Sequence, residues 1–229
     1  MCMTLKQFTK ELNGKRVEGE IIKTIFISLA TSFIVLGILY YLKFRYIENF
    51  MPKYGIYIFL AVISYSLILP TIRQVQAYKH FNCMSGMMIG MTIGMIAGFL
   101  AGFYVGATNG MFWGGMFGMI VGIALGIWNG MCCGVMGFME GTMAGLMGGL
   151  MGAMSAVMLL NEHIIVSSVI VLIICGVILA GLSYMIYVET TEREREYRGK
   201  HMNTAIISFI LTSVTAWIIV YGPRSAFLG

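Results

Sequence analysis

Apolar residues in this chain are gathered into long tracts that short charged segments separate. Residues 24–42 and 54–69 form a first pair of apolar tracts, and residues 164–187 and 205–221 form a last pair. At a helical rise of about 1.5 Å per residue, such tracts cross or nearly cross a hydrocarbon layer of about 30 Å. The pattern therefore predicts four ordinary transmembrane helices, two at each end of the chain.

Residues 84–158 form a central block in which glycine and methionine, rather than charges, interrupt the apolar residues. The block is too long for one crossing and fits three spans of about 20–25 residues joined by tight turns. Asn-Gly pairs at 109–110 and 129–130 favour turns, because both residues tolerate positive φ. The chain is thus predicted to be an all-α integral membrane protein of about seven transmembrane helices with a central glycine-zipper (GxxxG) three-helix core.

Glycine recurs at every fourth position of this block without a gap from Gly86 to Gly134, and then again from Gly137 to Gly149. A longer repeat begins at Met91, Met111 and Met131. Small residues four apart let helix backbones approach closely in lipid, where the hydrophobic effect no longer drives helices together. The spacing predicts a helix-packing role for Gly86, Gly90, Gly94, Gly98, Gly102, Gly106, Gly114, Gly118, Gly122, Gly126, Gly134, Gly137, Gly141, Gly145 and Gly149.

The charged segments divide the chain into an N-terminal tail (1–23), a helix pair (24–70), the block (84–158) and a second pair (164–221) with a charged loop (188–202). With three spans in the block and the N-terminus in the cytoplasm, most of the 15 lysines and arginines fall on the cytoplasmic side. Two spans would place the loop on the opposite side. We therefore expect a cytoplasmic N-terminus and a C-terminus on the outer side.

Composition supports the membrane assignment, since 59% of the residues are hydrophobic, 11% are charged and the mean hydropathy is +0.85. The net charge of +5 could suggest a nucleic-acid partner, but the basic residues flank apolar tracts, where membrane orientation explains them. No nucleophile elbow, phosphate loop or paired-carboxylate motif is found in the sequence. We expect a lipid-embedded protein that is not an enzyme and binds no nucleic acid.

Most of the 21 methionines lie in the block, together with two of the five cysteines, and a third, Cys83, directly precedes it. Thioether and thiolate ligands select Cu(I) and other soft metal ions. The predicted topology brings one such cluster to the cytoplasmic side, made of Cys83, Met84, Met87, Met88, Met131, Cys132 and Cys133. The alternative is that methionine fills irregular space beside glycine and that the cysteines are small buried hydrophobes.

Glu140 is the acidic residue within the block, and its position places it about 13 Å deep, close to the bilayer centre. Thr92 is expected at the same depth on the first helix of the block. A charged carboxylate at this depth is energetically unfavourable. We therefore expect Glu140 to be protonated, hydrogen-bonded or part of an ion path. The plain alternative is a neutral Glu140 hydrogen-bonded to Thr92 or Thr142.

Two functions follow from these features. The first is transport or handling of a copper-like soft cation through the Met/Cys/Gly-rich core. Its MxxxM and GxxxG combination, as in Met87-Met91-Met95, resembles the Ctr-type copper transporters, although their three-span form and Met-rich outer tail are missing here. The second is a non-catalytic glycine-zipper protein that packs in the membrane, assembles as a homo-oligomer or forms a pore.

Overall fold

The computed structural model describes residues 19–42, 55–78, 83–131, 134–159, 163–190 and 201–222. Within these ranges the chain forms helices and no strand. The seven helices are α1 Gly19–Leu42, α2 Ile56–Ala77, α3 Cys83–Asn109, α4 Met111–Gly130, α5 Gly134–Met158, α6 Ile164–Thr190 and α7 His201–Tyr221. Helix length and composition thus identify an all-helical membrane protein.

Five helices, α2 to α6, are long and apolar enough to cross a membrane. Helices α1 and α7 contain shorter apolar stretches, Lys23–Leu39 and Ala205–Tyr221. The N-terminal tail before Gly19 and the charged residues 191–200 lie outside the described ranges.

Helices α3, α4 and α5 pack against one another more extensively than any other described helices, and we call them the trio. Helix α4 runs antiparallel to α3, because Gly130 meets Gly90 and Gly114 meets Gly106. Helix α5 runs parallel to α3, because Gly94 meets Gly141 and Gly102 meets Gly149. A chain that reverses direction twice between adjacent helices gives this arrangement.

Helices α2, α6 and α7 pack on α3, and α1 packs on α2 and α7. Helix α2 is central among them and contacts α1, α3, α6 and α7, with Tyr65, Ile68 and Ile72 fully buried. Helix α3 contributes Ile93 and Phe103 to the same apolar core. Helix α5 packs extensively only on α3 and α4, so it lies at the opposite edge of the protein.

Helix α2 extends beyond the predicted apolar tract. The tract ends at Leu69, but the helix continues through Pro70 to Ala77. Proline within a membrane helix is tolerated because neighbouring helices and hydroxyl side chains satisfy the backbone groups that it frees.

The two reversals of the block occur at glycines with positive φ. Gly110 has φ 92° between α3 and α4, within the predicted turn at 109–110. The second reversal lies between Gly130 and Gly134 rather than at 129–130, and Gly134 has φ 70°. Asn129 remains helical because its side-chain amide donates to the Leu125 carbonyl at 2.8 Å, which satisfies the amide within the helix.

Candidate functional site

Small residues fill the centre of the trio in successive layers, with one residue from each helix in every layer. The layers are Gly90–Gly130–Gly137, Gly94–Gly126–Gly141, Gly98–Gly122–Gly145, Gly102–Gly118–Gly149 and Gly106–Gly114–Ala153. We call them the glycine layers. They occupy most of the length of the three helices.

The backbones touch within these layers. A Cβ atom built on Gly94 would lie 3.1 Å from the Cα atom of Gly126 and 3.1 Å from the carbonyl oxygen of Gly141. Helix α5 has a second row of small residues, since a Cβ atom on Gly148 or Gly152 would meet the α3 backbone at Met95 or Phe99. The trio is therefore closed around its axis by main-chain atoms.

Two glycines in the predicted packing set stand apart from the layers. Gly86 is buried on α3, one turn before the first layer. Gly134 is exposed, and a Cβ atom placed on it would meet nothing within 4 Å. Gly134 therefore begins α5 at the reversal with positive φ, and it makes no close contact of the kind that the layer glycines make.

The methionines of the trio lie outside its fully buried core. None of the methionines in the described ranges belongs to the buried core. On α5 they form one exposed stripe, which we call the methionine face: Met136, Met139, Met143, Met147, Met151, Met154 and Met158. The methionines of α5 are thus all exposed, whereas Met87, Met95 and Met119 on α3 and α4 are half-buried.

The predicted soft-metal residues are only partly described. Met84, Met88 and Met131 are exposed, and Met87 is half-buried. The side chain of Cys83 and the whole of Cys132 and Cys133 lie outside the described residues. In the part of the chain that is described, no three His, Cys, Asp or Glu side chains come together to hold a metal ion.

Glu140 is half-buried on α5, beside Gly141 and next to the methionine face. The hydroxyl of Thr92 donates to the Met88 carbonyl at 2.7 Å, within its own helix. The hydroxyl of Thr142 donates to the Met139 carbonyl at 2.7 Å, again within its own helix. Neither threonine donates a hydrogen bond to Glu140.

A buried set of hydroxyl groups joins α1 to α7. Ser32 Oγ lies 2.8 Å from Ser208 Oγ and 3.3 Å from Thr212 Oγ1, and Ser28 Oγ lies 3.3 Å from Ser208 Oγ. Thr24, one turn before Ser28 on α1, accepts a hydrogen bond of 2.9 Å from the guanidinium of Arg73. We call Thr24, Ser28, Ser32, Ser208 and Thr212 the hydroxyl column.

The hydroxyl column was not predicted, although the sequence contains a pattern that indicates it. Thr24, Ser28 and Ser32 are spaced by four residues, as are Ser208 and Thr212. This is the small-xxx-small pattern with hydroxyl residues in place of glycine, and it also marks helix contacts in membranes.

An apolar groove separates α4 from α7. It consists of two adjoining cavities of about 540 and 320 Å³, and both are lined by Phe117 and Ile120. All three tryptophans of the chain lie along it: Trp113 and Trp217 line one cavity and Trp128 lines the other. The groove has no charged side chain in its described lining.

Comparisons of the chain with protein-family models, with curated proteins and with solved structures give no match.

Proposed function

We propose that this chain is a non-catalytic, multi-pass membrane protein in which the trio is a glycine-zipper packing unit and the methionine face of α5 joins two copies. The stack of glycine layers is the observation that carries the proposal. It accounts for the unbroken four-residue spacing, which no ligand site would require over such a length.

The layers support a structural role because close contact is what holds helices together in lipid. Backbone atoms, which have no rotamers, meet at the axis of the trio. A four-residue spacing is longer than the 3.6-residue helical turn, so the glycine stripe turns gradually around each helix. The stripe remains at the axis of the trio when the three helices wind around one another in the right-handed sense. Such a unit is rigid and leaves the outer surfaces free for other contacts.

Self-association through α5 is supported by the character of its outward surface. The layer glycines of α5 are used inside the trio, so they are unavailable for a second chain. Methionine side chains are adaptable and are frequent at binding surfaces. The carboxyl group of Glu140, in contrast, is energetically unfavourable in contact with lipid hydrocarbon. A second copy seated on the methionine face would remove Glu140 from lipid.

Helix α6 provides the contrast to α5. Its outward side chains, such as Ile173, Ile174 and Val177, are aliphatic and exposed, as expected for a helix that faces lipid. Helix α5 is the least apolar of the five candidate spans and α6 is the most apolar.

Cysteine cross-linking tests the proposed interface. Met143 on α5 and Ile173 on α6 are similarly exposed, at 66% and 60%. In a background that lacks the five native cysteines, Met143→Cys should form a disulfide-linked dimer in membranes. Ile173→Cys is the matched control and should remain monomeric. Equal dimer yields for the two variants, or no dimer with Met143→Cys, would contradict the proposal.

Soft-metal binding is a second candidate, and one observation favours it. The Gly90–Gly130–Gly137 layer lies close to the start of α3, the end of α4 and the start of α5. In the sequence, Cys83 and Met84 open α3, and Met131, Cys132 and Cys133 stand between Gly130 of α4 and Gly134 of α5. Copper content of the purified protein tests it, because Cys132→Ser combined with Cys133→Ser should abolish bound copper while leaving a dimer through α5 intact.

The proposed orientation places the N-terminus in the cytoplasm and the C-terminus on the outer side of the membrane. The distribution of lysine and arginine in the sequence supports it. Reporter enzymes fused to each terminus should be active on opposite sides, and activity of both on the same side would show an even number of spans.

A further inference from the structure

Four aromatic side chains meet at one end of the groove between α4 and α7. Phe112 and Trp113 belong to the first turn of α4, and Trp217 and Tyr221 belong to the end of α7. All four line the larger cavity, of about 540 Å³, and all four are exposed. We call this part of the groove the aromatic end.

A hydrogen bond holds the two helix ends at the same level. Asn109, just before the turn into α4, donates from its side-chain amide to the Ile218 carbonyl of α7 at 2.5 Å. Gly222, directly after α7, also lines the cavity. The start of α4 and the end of α7 therefore lie side by side, and their rings share one cavity.

The rings of the aromatic end form two pairs. The ring centroids of Phe112 and Trp113 are 5.7 Å apart with an interplanar angle of 88°, and those of Trp217 and Tyr221 are 4.8 Å apart at 32°. The face of an aromatic ring carries partial negative charge and attracts a cation. The described lining of this cavity has no charged side chain, so the rings are the groups that would attract a cation there.

A quaternary ammonium group fits this lining better than a primary ammonium group. A primary ammonium carries three N–H donors, as in lysine, and a donor left unsatisfied in an apolar site is unfavourable. A quaternary ammonium has no N–H donor, and its surface consists of methyl groups. Clusters of aromatic rings are the usual protein sites for such cations.

The remainder of the groove is suited to an acyl chain. The second cavity, of about 320 Å³, adjoins the first at Phe117 and Ile120 and is lined by aliphatic side chains such as Leu125 and Val214. From Phe112 to Trp128 the groove follows α4 for about 24 Å at the helical rise per residue. One leaflet provides about 15 Å of hydrocarbon, so a lipid chain can lie along the groove.

We propose that the groove binds a phospholipid with a choline headgroup, whose trimethylammonium group lies at the aromatic end and one of whose acyl chains lies along the second cavity. The ring faces complement the charge of the headgroup, and the aliphatic lining complements the chain. The level also agrees, because tryptophan and tyrosine are enriched where lipid headgroups lie. The proposal is independent of the dimer through α5 and of any metal ion.

Brominated lipids test the headgroup preference. Phosphatidylcholine and phosphatidylethanolamine have the same net charge and differ in the methyl groups on nitrogen. Each lipid, brominated on its acyl chains, is added in increasing amounts to phosphatidylglycerol vesicles that contain the protein, and the quenching of tryptophan fluorescence is measured. The choline lipid should have a relative association constant about tenfold higher, as expected for a desolvated cation–π site. Equal quenching by the two lipids, or no quenching by either, would overturn the proposal.

Two tryptophan variants locate the preference in the groove. Trp217→Leu keeps an apolar side chain but removes a ring face, so most of the preference for the choline lipid should be lost. Trp128→Leu is the matched control, because Trp128 is similarly exposed but lines the second cavity, and it should keep the preference. Trp113 remains as a reporter in both variants.

Tyr221→Leu also removes a ring from the aromatic end and keeps all three tryptophans, so it serves if Trp217→Leu does not fold. A folded Trp217→Leu or Tyr221→Leu variant that retains the full preference would overturn the proposal. An equal loss of the preference in Trp128→Leu would also overturn it.

Discussion

A Cβ atom built on Gly122 of α4 would lie 2.8 Å from the Cα atom of Gly98 on α3. The same atom would lie 2.9 Å from the Cα atom of Gly145 on α5. Real Cβ atoms essentially never come this close to other heavy atoms. The position of Gly122 therefore has room for a hydrogen atom but not for a methyl group. The identity of these residues as glycine is thus required by the distance between the helices.

The turn between α3 and α4 should be as sensitive to substitution as the helix contacts, for a different reason. Gly110 has φ 92° and ψ 171°, a backbone region that is essentially restricted to glycine. Gly110→Ala should therefore reduce the free energy of unfolding by about 1–3 kcal/mol. Unfolding in mixed detergent micelles measures it, and a Gly110→Ala protein as stable as the parent would show that this turn is not strained.

The contact between α1 and α7 should depend on paired hydroxyl groups. Ser32 and Ser208 are 2.8 Å apart, and such pairs in membrane helices contribute about 0.6 kcal/mol on average. A double-mutant cycle of Ser32→Ala and Ser208→Ala should show a coupling of this size. The control cycle pairs Ser66→Ala with Ser208→Ala and should show none, because Ser66 donates to the Ile63 carbonyl of its own helix. Equal coupling in both cycles would contradict the interface.

Tryptophan fluorescence should report contact with lipid along the groove between α4 and α7. Trp113, Trp128 and Trp217 are 44%, 47% and 48% exposed, and they are the only tryptophans of the chain. In vesicles, lipids with brominated acyl chains should quench this fluorescence strongly, and water-soluble acrylamide should quench it weakly. The reverse order would show that the groove faces water.

Some features of the trio could be predicted from the sequence and others could not. The four-residue spacing identifies which glycines lie on one stripe, because position in the sequence sets position around a helix. The same reasoning places the exposed methionines of α5: Met143 follows Gly141 by two residues, which is about 200° around the helix and therefore on the opposite side. Met95 and Met119 instead directly follow Gly94 and Gly118, about 100° around the helix, and they are half-buried.

The position of the second reversal was harder to predict. Asn-Gly favours a turn, but Asn129 satisfies its side chain on the Leu125 carbonyl and Gly130 packs against Gly137, so both remain helical. Helix packing outweighed local turn preference at these residues.

The contact between Ser64 and Tyr104, whose hydroxyl oxygens lie 2.9 Å apart, could not be predicted from the sequence. It depends on where α2 and α3 meet, and these helices come from different parts of the chain. Serine and threonine in membrane helices also bond their own backbone, as Ser64 and Thr215 do, so the residue type alone does not identify an interhelical contact.

An alanine scan of the glycines tests the central claim most directly, with the free energy of unfolding as the measurement. Alanine at a glycine layer should reduce stability by about 1–3 kcal/mol, because the added methyl group forces the backbones apart. The variants are Gly94→Ala, Gly98→Ala, Gly118→Ala, Gly122→Ala, Gly141→Ala and Gly145→Ala. Gly37→Ala and Gly181→Ala are the controls, since a Cβ atom there meets nothing within 4 Å.

The controls should be neutral or stabilising by up to about 1 kcal/mol, because alanine favours the helix over glycine. The account predicts a loss at every layer position and none at the controls. Layer variants that are as stable as the controls would contradict it.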